Sequence, residues 1–406
     1  MATGRAVYHG EISPGAGHSM SKRTLGICSA VHTLHDGLSD VTYVLLPLLA
    51  SAFGLSLAQV GLIRGAHRAA MAAFQIPAGL VAERFGEREL LAGGTMLAGA
   101  AFAALGFAQG YWAILFALFF AGAGSAVQHP LASTLVSRAY PVQGRRAALG
   151  TYNFAGDVGK FAFGGTVSLL LVAGVSWKVP VLGFGAVAIV TAIAVLSLLT
   201  AKTRTSVPKD QAPADGAKGW GIRDRPRFLA LCLIEVLDSS TRSAFLTFIA
   251  FLLIAKGLSA GWAVAAVPLV LAGGMVGKLA CGVLAERLGI ARMIVITEIA
   301  TAAGIFAALA LPATGVLVLL PLLGVVVQGT SSVLYATIGE YVRPERLSRA
   351  FGLFYTVGSV CGIAAPLAFG LLGDRLGVEV AIAALGGTIL LTLPLVLALR
   401  PERPKA

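Results

Sequence analysis

His32, Asp36 and Asp40 recur at four-residue intervals within one apolar stretch, so on a helix they share a face, with Ser39 and Tyr43 beside them. Two carboxylates one turn apart, with an imidazole one turn further, suit reversible proton binding. Asp36, near the middle of the stretch, is the expected proton carrier, Asp40 a second acid and His32 a relay. The competing reading is a fixed ion pair to a neighbouring helix. Asp157 and Lys160, three residues apart, can satisfy each other, or Lys160 can meet an acidic group of a substrate while Asp157 serves as its resting partner. Glu235, Asp238 and Arg242 repeat the pattern further along, and Asp40–Arg242 is the expected pair between the two regions; neutralisation of Asp238 by Arg242 within one helix is the alternative. Arg64 and Arg68, flanking His67 with Gln75 beyond, are candidates to attract an anion or pair with Asp40, although Arg64 could instead snorkel to a headgroup. His129 precedes Pro130, which frees a carbonyl one turn earlier, and such breaks line cavities. Glu298 and Lys278 receive no role.

The elements that carry these residues are too apolar for a water-soluble protein. Of 406 residues 57% are hydrophobic and only 12% charged, with mean hydropathy +0.84; a soluble domain carries about 25% charged residues. Residues 91–123, 179–201, 303–339 and 380–399 hold no charged residue, and roughly 20 apolar residues cross a bilayer as a helix. The runs are rich in Ala, Leu and Gly and lack strand alternation, which points to an all-α membrane protein and away from a barrel. Ionisable side chains placed inside such spans cost roughly 2.5–3.5 kcal/mol each on insertion scales, so each needs a partner or a wet cavity.

Twelve transmembrane helices are expected, at 24–52, 58–82, 90–109, 111–137, 148–173 and 178–200, then 228–255, 259–284, 291–311, 314–340, 349–373 and 379–399. They form an N-terminal six-helix bundle (24–200) and a C-terminal one (228–399), joined by a basic linker (201–227) and flanked by tails at 1–23 and 400–406. Of 31 Lys and Arg, only Lys178, Lys256 and Arg375 fall in loops on the side opposite the linker. That asymmetry puts both termini and the linker in the cytoplasm of a bacterial inner membrane. The net charge of +12 therefore sets topology and does not mark a nucleic-acid partner. Cys28, Cys232, Cys281 and Cys361 all lie in spans and read as small buried residues. Gly273–Leu279 (GGMVGKL) superficially looks like a phosphate loop, but Ala272 and Leu279 stand where Gly and Ser/Thr are required, so no nucleotide site is expected. No cofactor and no enzymatic activity are expected; the partners are protons, a small solute and lipid, with the chain acting as a monomer.

The halves repeat. GLVAERFGE at 79–87 returns as GVLAERLGI at 282–290, and Gly54-Leu55-Ser56 as Gly257-Leu258-Ser259, both offset by 203; Asp36 maps on Asp238, and Gly150, Gly156 and Val158 on Gly352, Gly358 and Val360, offset by 202. Two parallel repeats with a site between them are a transporter arrangement. Residues 79–88 (GLVAERFGER) resemble the loop between helices 2 and 3 of the major facilitator superfamily, with Glu83 in place of the usual Asp. The resemblance implies two pseudo-symmetric six-helix bundles and secondary transport by alternating access. Glu83, Arg84 and Arg88, with Glu286 and Arg287 in the second copy, are then expected to gate the cytoplasmic face by pairing with Arg145 or Arg146 and with Arg346 or Arg349; a solvated basic loop is the alternative. In the first half, His32-Thr33-Leu34-His35-Asp36, Pro47-Leu48-Leu49, Gln59-Val60-Gly61 and Gly122–Pro130 (GAGSAVQHP) resemble the fosmidomycin-resistance type of drug exporter. That likeness implies proton-coupled efflux of a small organic anion as an antiporter. The residues alone leave open proton-coupled uptake of an anion, or export of a transition-metal ion held by His32, Asp36, Cys232 and Glu235.

Overall fold

The computed structural model describes residues 14–140, 142–199, 221–343 and 347–399, with side chains described except at 14–20, 83, 142, 143, 146 and 347–349. The helices of the first half are α1 (Pro14–Phe53), α2 (Leu57–Phe85), α3 (Glu87–Gly106), α4 (Tyr111–Ser125), α5 (Gln128–Ala139), α6 (Val142–Val172) and α7 (Lys178–Leu198). Those of the second are α8 (Arg225–Ala255), α9 (Ala260–Ala263), α10 (Ala266–Leu288), α11 (Ile290–Ala310), α12 (Ala313–Tyr341), α13 (Leu347–Leu376), α14 (Val378–Leu390) and α15 (Thr392–Ala398). The pairs α4/α5, α9/α10 and α14/α15 continue as single broken rods, so twelve spans form two six-helix bundles. Ten rods are long and apolar enough to cross a membrane on composition alone; the two left out are α1 and α2, which carry Asp36, Asp40, Arg64 and Arg68. The membrane signal is weakest where the chemistry sits. Most of the basic linker and both distal tails lie outside the described residues.

The repeat is visible in the backbone. Gly54 and Gly257 (φ 63° and 86°) end the first rod of each half, and Gly86 and Gly289 (φ 97° and 84°) turn the second rod into the third. Only glycine adopts such angles without strain, so the duplicated sequence fixes duplicated turns. The rod of α4 and α5 breaks at Ala126–Val127, one turn before Pro130, as the missing proline N–H requires.

Within lipid, close packing rather than water exclusion joins helices, and small residues permit it. A Cβ at Gly159 would fall on the Thr33 carbonyl oxygen of α1, one at Gly122 on that of His67, and one at Gly324 on that of Val270. The last two contacts are equivalent, α4 on α2 and α12 on α10. Leu169, Val318 and Leu322, each at least 70% exposed, face outward as a lipid-facing surface requires.

The two bundles meet unequally along their length. At the end remote from the termini they share one apolar core, in which Leu49, Val60 and Ile63 pack with Phe245, Phe248 and Val267. At the end that bears the termini each half keeps its own core, one around Leu131, Val136 and Tyr152 and the other around Leu231, Ile338 and Phe354. The molecule is therefore closed at the remote end and parted at the terminal end. A polar clasp seals the closed side. Asp374 of α13 accepts from the backbone N–H groups of Leu57 (2.7 Å) and Ala58 (2.9 Å), capping α2 from the other bundle. Losing a capping carboxylate costs about 1 kcal/mol, roughly a fivefold change in a two-state population. Asp374→Ala should enlarge the population open at the remote end by that factor, read as lengthened distances between spin labels at Ser51 and Ala255. An unchanged distance distribution would deny the clasp any role in closure.

Candidate functional site

Asp36 is 7% exposed and sits at the meeting point of three helices. Its carboxylate lies 3.0 Å from Lys160 Nζ on α6, 3.3 Å from His32 Nε2 on α1 and 3.6 Å from His129 Nε2 on α5. The glycine at 156 makes the approach possible, since a Cβ there would stand 2.6 Å from His32 Nε2 and 2.7 Å from Asp36 Oδ2. Hydrogen-bond logic fixes the His32 tautomer. Nδ1 lies 2.8 Å from the Tyr152 carbonyl, an obligate acceptor, so Nδ1 carries a proton. Nε2 then faces Asp36 with a lone pair unless one further proton is present, on the imidazole or on the carboxyl. The geometry holds a slot for one proton.

Lys160 continues the chain to Asp157 (3.1 Å), and Asp157 accepts from Lys278 of α10 at 2.7 Å. This last contact crosses between the bundles. The i,i+3 pair expected within α6 forms, and Lys278, to which the sequence assigned no role, completes it from the other half. Asp40, Asp157, Lys160, Gly274, Lys278 and Gln328 line an open recess of about 280 Å³, counting the solvent in its mouth. Asp40 does not reach Arg242. It pairs with Arg64 (3.6 Å), whose guanidinium is fully buried, donates to Thr42 Oγ1 (2.7 Å) and the Ser39 carbonyl (3.0 Å), and stacks 3.7 Å over the Tyr43 ring. Arg64 thus does not snorkel. Arg68, one turn deeper, is partly buried, with Nε unpartnered near Gly362 of α13.

Arg242 stays on its own helix, 3.1 Å from Asp238 and 4.0 Å from Glu235. The expected Asp40–Arg242 pair is therefore absent here, because each partner finds an opposite charge within its own bundle. The repeat register on these helices also needs correction. A Cβ at Gly156 would meet the His32 ring, and one at Gly358 would stand 2.5 Å from Glu235 Oε1. His32 and Glu235 are thus equivalent, at the offset of 203 that relates Gly54 to Gly257. Asp36 then corresponds to Ser239, which donates to the Gly358 carbonyl (3.1 Å), and Asp238 corresponds to His35.

The metal set left open by the sequence, His32 and Asp36 with Cys232 and Glu235, is not among the described groupings whose ligand atoms lie close together. Among the described residues the grouping with metal-ligand proximity is His32, Asp36 and His129, with ligand atoms within 4.8 Å. The Lys160 ammonium already neutralises Asp36 there, which disfavours a second cation. At the parted end Arg88 bonds Glu89 (2.6 Å) and the Leu199 carbonyl (3.3 Å), Arg138 pairs with Glu87, Arg145 reaches the Tyr140 carbonyl (3.5 Å), and Arg84 lies over the Phe85 ring (5.7 Å). Glu286 and Arg287 are exposed. The side chains of Glu83, Arg146 and Arg349, and Arg346 as a whole, lie outside the described residues. The contacts of Arg88 and Arg145 stay within the first bundle, as an end that stands open requires.

Comparisons with known proteins agree with this architecture. No curated protein matches the sequence. Among solved structures, a bacterial homologue of the human lysosomal transporter Spinster, inward-facing and unoccupied, is 18% identical, with TM-score 0.76 over 95% of each chain. A substituted form of the nucleoside transporter NupG is 13% identical, with TM-score 0.78 over 94% of this chain and all of that one. At such identities the likeness carries the fold alone. The family model described as Major Facilitator Superfamily matches residues 27–321 and 231–406. With twelve helices in two parallel bundles and a charged recess between them, the chain belongs to the Major Facilitator Superfamily, as a multi-pass membrane transporter.

Proposed function

We propose that the chain is a proton-coupled carrier of a small organic anion that works by alternating access. One observation carries the reading: Lys160 is held between Asp36 and Asp157 while Lys278 from the opposite bundle shares Asp157, and Asp157, Lys160 and Lys278 line the open recess. An entering anion can take Asp157's place between the two ammonium groups and draw the bundles together through them. Lys160 then leaves Asp36, and a carboxylate that loses its counter-charge in so buried a position takes a proton. The basic residues concentrated at the parted end support a cytoplasmic opening in a bacterial inner membrane.

This linkage has a definite sign. Anion and proton favour each other's binding, which supports movement in the same direction and, with an inward proton gradient, uptake. Export by proton–anion exchange is the second reading, motivated by the first-half likeness to fosmidomycin-resistance exporters, and it requires proton and substrate to exclude one another. Flux of phosphonates and carboxylates into proteoliposomes under an imposed pH gradient separates the two, since outside acid drives accumulation in the first case and depletion in the second. No response to the gradient for any anion would end both. Charge-assisted hydrogen bonds contribute roughly 1.5–3 kcal/mol, so Lys160→Ala and Lys278→Ala should each raise the anion's apparent Kd at least tenfold. Wild-type affinity in both variants would remove the lysines from the binding site.

A further inference from the structure

The second bundle holds three carboxylates against one arginine. Glu235 and Glu298 are fully buried and Asp238 is 3% exposed. Arg242 contacts Asp238 and, more distantly, Glu235. Glu298, on α11, has neither oxygen hydrogen-bonded, and the hydroxyls of Thr241 and Thr301 nearby in sequence are likewise unpartnered. Among the described residues the charged groups acting on Glu298 are Asp238, Arg242 and Glu235, all from α8, and Tyr335 of α12 lies within electrostatic range of Glu235 and Arg242. Arg242 can neutralise one carboxylate. Two negative charges remain in a place where an unpaired ion costs several kcal/mol.

The repeat shows what a purely structural solution looks like at the same place. Glu298 corresponds to Thr95, and Asp238 to His35, at the offset of 203. Thr95 donates to the Leu91 carbonyl (2.7 Å) and so accepts from His35 Nε2 (2.9 Å), while Ser125 donates to Nδ1 (3.2 Å). Every polar atom of that neutral pair has a partner. The second half replaces it with two acids, of which Asp238 pairs with Arg242 and Glu298 has neither oxygen hydrogen-bonded. A chelated metal does not explain the exchange, because the only described grouping with metal-ligand proximity lies in the other bundle, at His32, Asp36 and His129.

We propose that Glu298, Asp238 and Glu235 form a second proton-binding site inside the C-terminal bundle, in which two protons and Arg242 balance the three carboxylates and Glu298 holds the proton with no counter-ion. Arg242, 17% exposed at its side chain against 1% for Glu235 and 4% for Asp238, is the member of this cluster that a solute can reach. An anion that engages Arg242 withdraws positive charge from the acids and favours their protonated forms. The transport consequence rests on the proton-coupled reading above; the occupancy of Glu298 does not.

The test uses the full chain in lipid nanodiscs and in proteoliposomes, with Glu298→Gln, the repeat-matched Glu298→Thr, and Asp36→Asn. Infrared difference spectra between acid and alkaline pH should show a protonated-carboxyl band that loses intensity in both Glu298 variants and persists in Asp36→Asn. Gradient-driven anion transport should fall at least tenfold in Glu298→Gln, with counterflow still measurable. A carboxyl band unchanged in both Glu298 variants overturns the proposal, as does wild-type coupling in Glu298→Gln. Replacement of sodium by choline should leave the spectra unaltered; a sodium-dependent band would assign the site to sodium and refute the proton. If the wild type itself ignores a pH gradient, the functional reading fails while the infrared arm still decides Glu298.

Discussion

Asp36→Asn should remove the response of transport to a pH gradient while substrate counterflow remains measurable. The asparagine keeps the size of Asp36 and can still accept from Lys160, now 3.0 Å away, but cannot gain or lose a proton. Lys160 retains Asp157 at 3.1 Å, so no cation is stranded and the fold persists. Coupling free energies between two ligands run to about 1–3 kcal/mol, or roughly 5–150-fold in affinity. In the wild type, acid pH should therefore tighten anion binding within that range; in Asp36→Asn the ratio should fall to one. The measurements are anion Kd at two pH values and accumulation in proteoliposomes with and without a gradient. Wild-type pH dependence in the variant would strip Asp36 of its role and leave the His32 proton slot as a structural feature.

Gly159→Val should have the largest effect on the folded protein. A Cβ at 159 would fall on the Thr33 carbonyl oxygen and within 2.8 Å of Thr33 Cα, all backbone, so no rotamer change relieves it. The seam between α1 and α6 must open, and overpacking of this kind costs roughly 1–3 kcal/mol or more. Lys160 is the next residue, so what folds carries its ammonium away from Asp36. Expected results are a steep loss of monodisperse protein from detergent extracts and no gradient-driven transport in the remainder. Gly165→Ala, on the same helix with nothing within 4 Å of the added Cβ, is the control and should behave as wild type. Normal yield and coupling in Gly159→Val would mean that the seam does not position the site.

The fold was legible because its signals are local or periodic. A run such as 179–201 declares a span by composition, and the paired turns at Gly86 and Gly289 declare a repeat by identity. The i,i+4 spacing of His32 and Asp36, and the i,i+3 spacing of Asp157 and Lys160, gave same-face neighbours from helical geometry alone, and the structure has both pairs in contact. The helix break before Pro130 followed from a missing N–H. Each of these depends on residues within about two turns of one another, where the backbone fixes distance.

Which bundle each charge would answer to was not local, and only the tertiary structure decided it. Asp40 turns to Arg64 and Arg242 to Asp238 because a low-dielectric interior rewards the nearest opposite charge, whereas sequence symmetry suggested a pair across the cavity. Lys278 and Glu298 had no partner within reach on their own helices. One gains a role when α10 approaches α6, and the other when α11 carries a carboxylate into the field of α8. The sequence by itself determined the helices, their repeat and the ionisable groups buried within them; the packing of rods against one another determined the pairings, since contacts between residues 60 to 121 positions apart are set by helix approach and not by spacing along the chain.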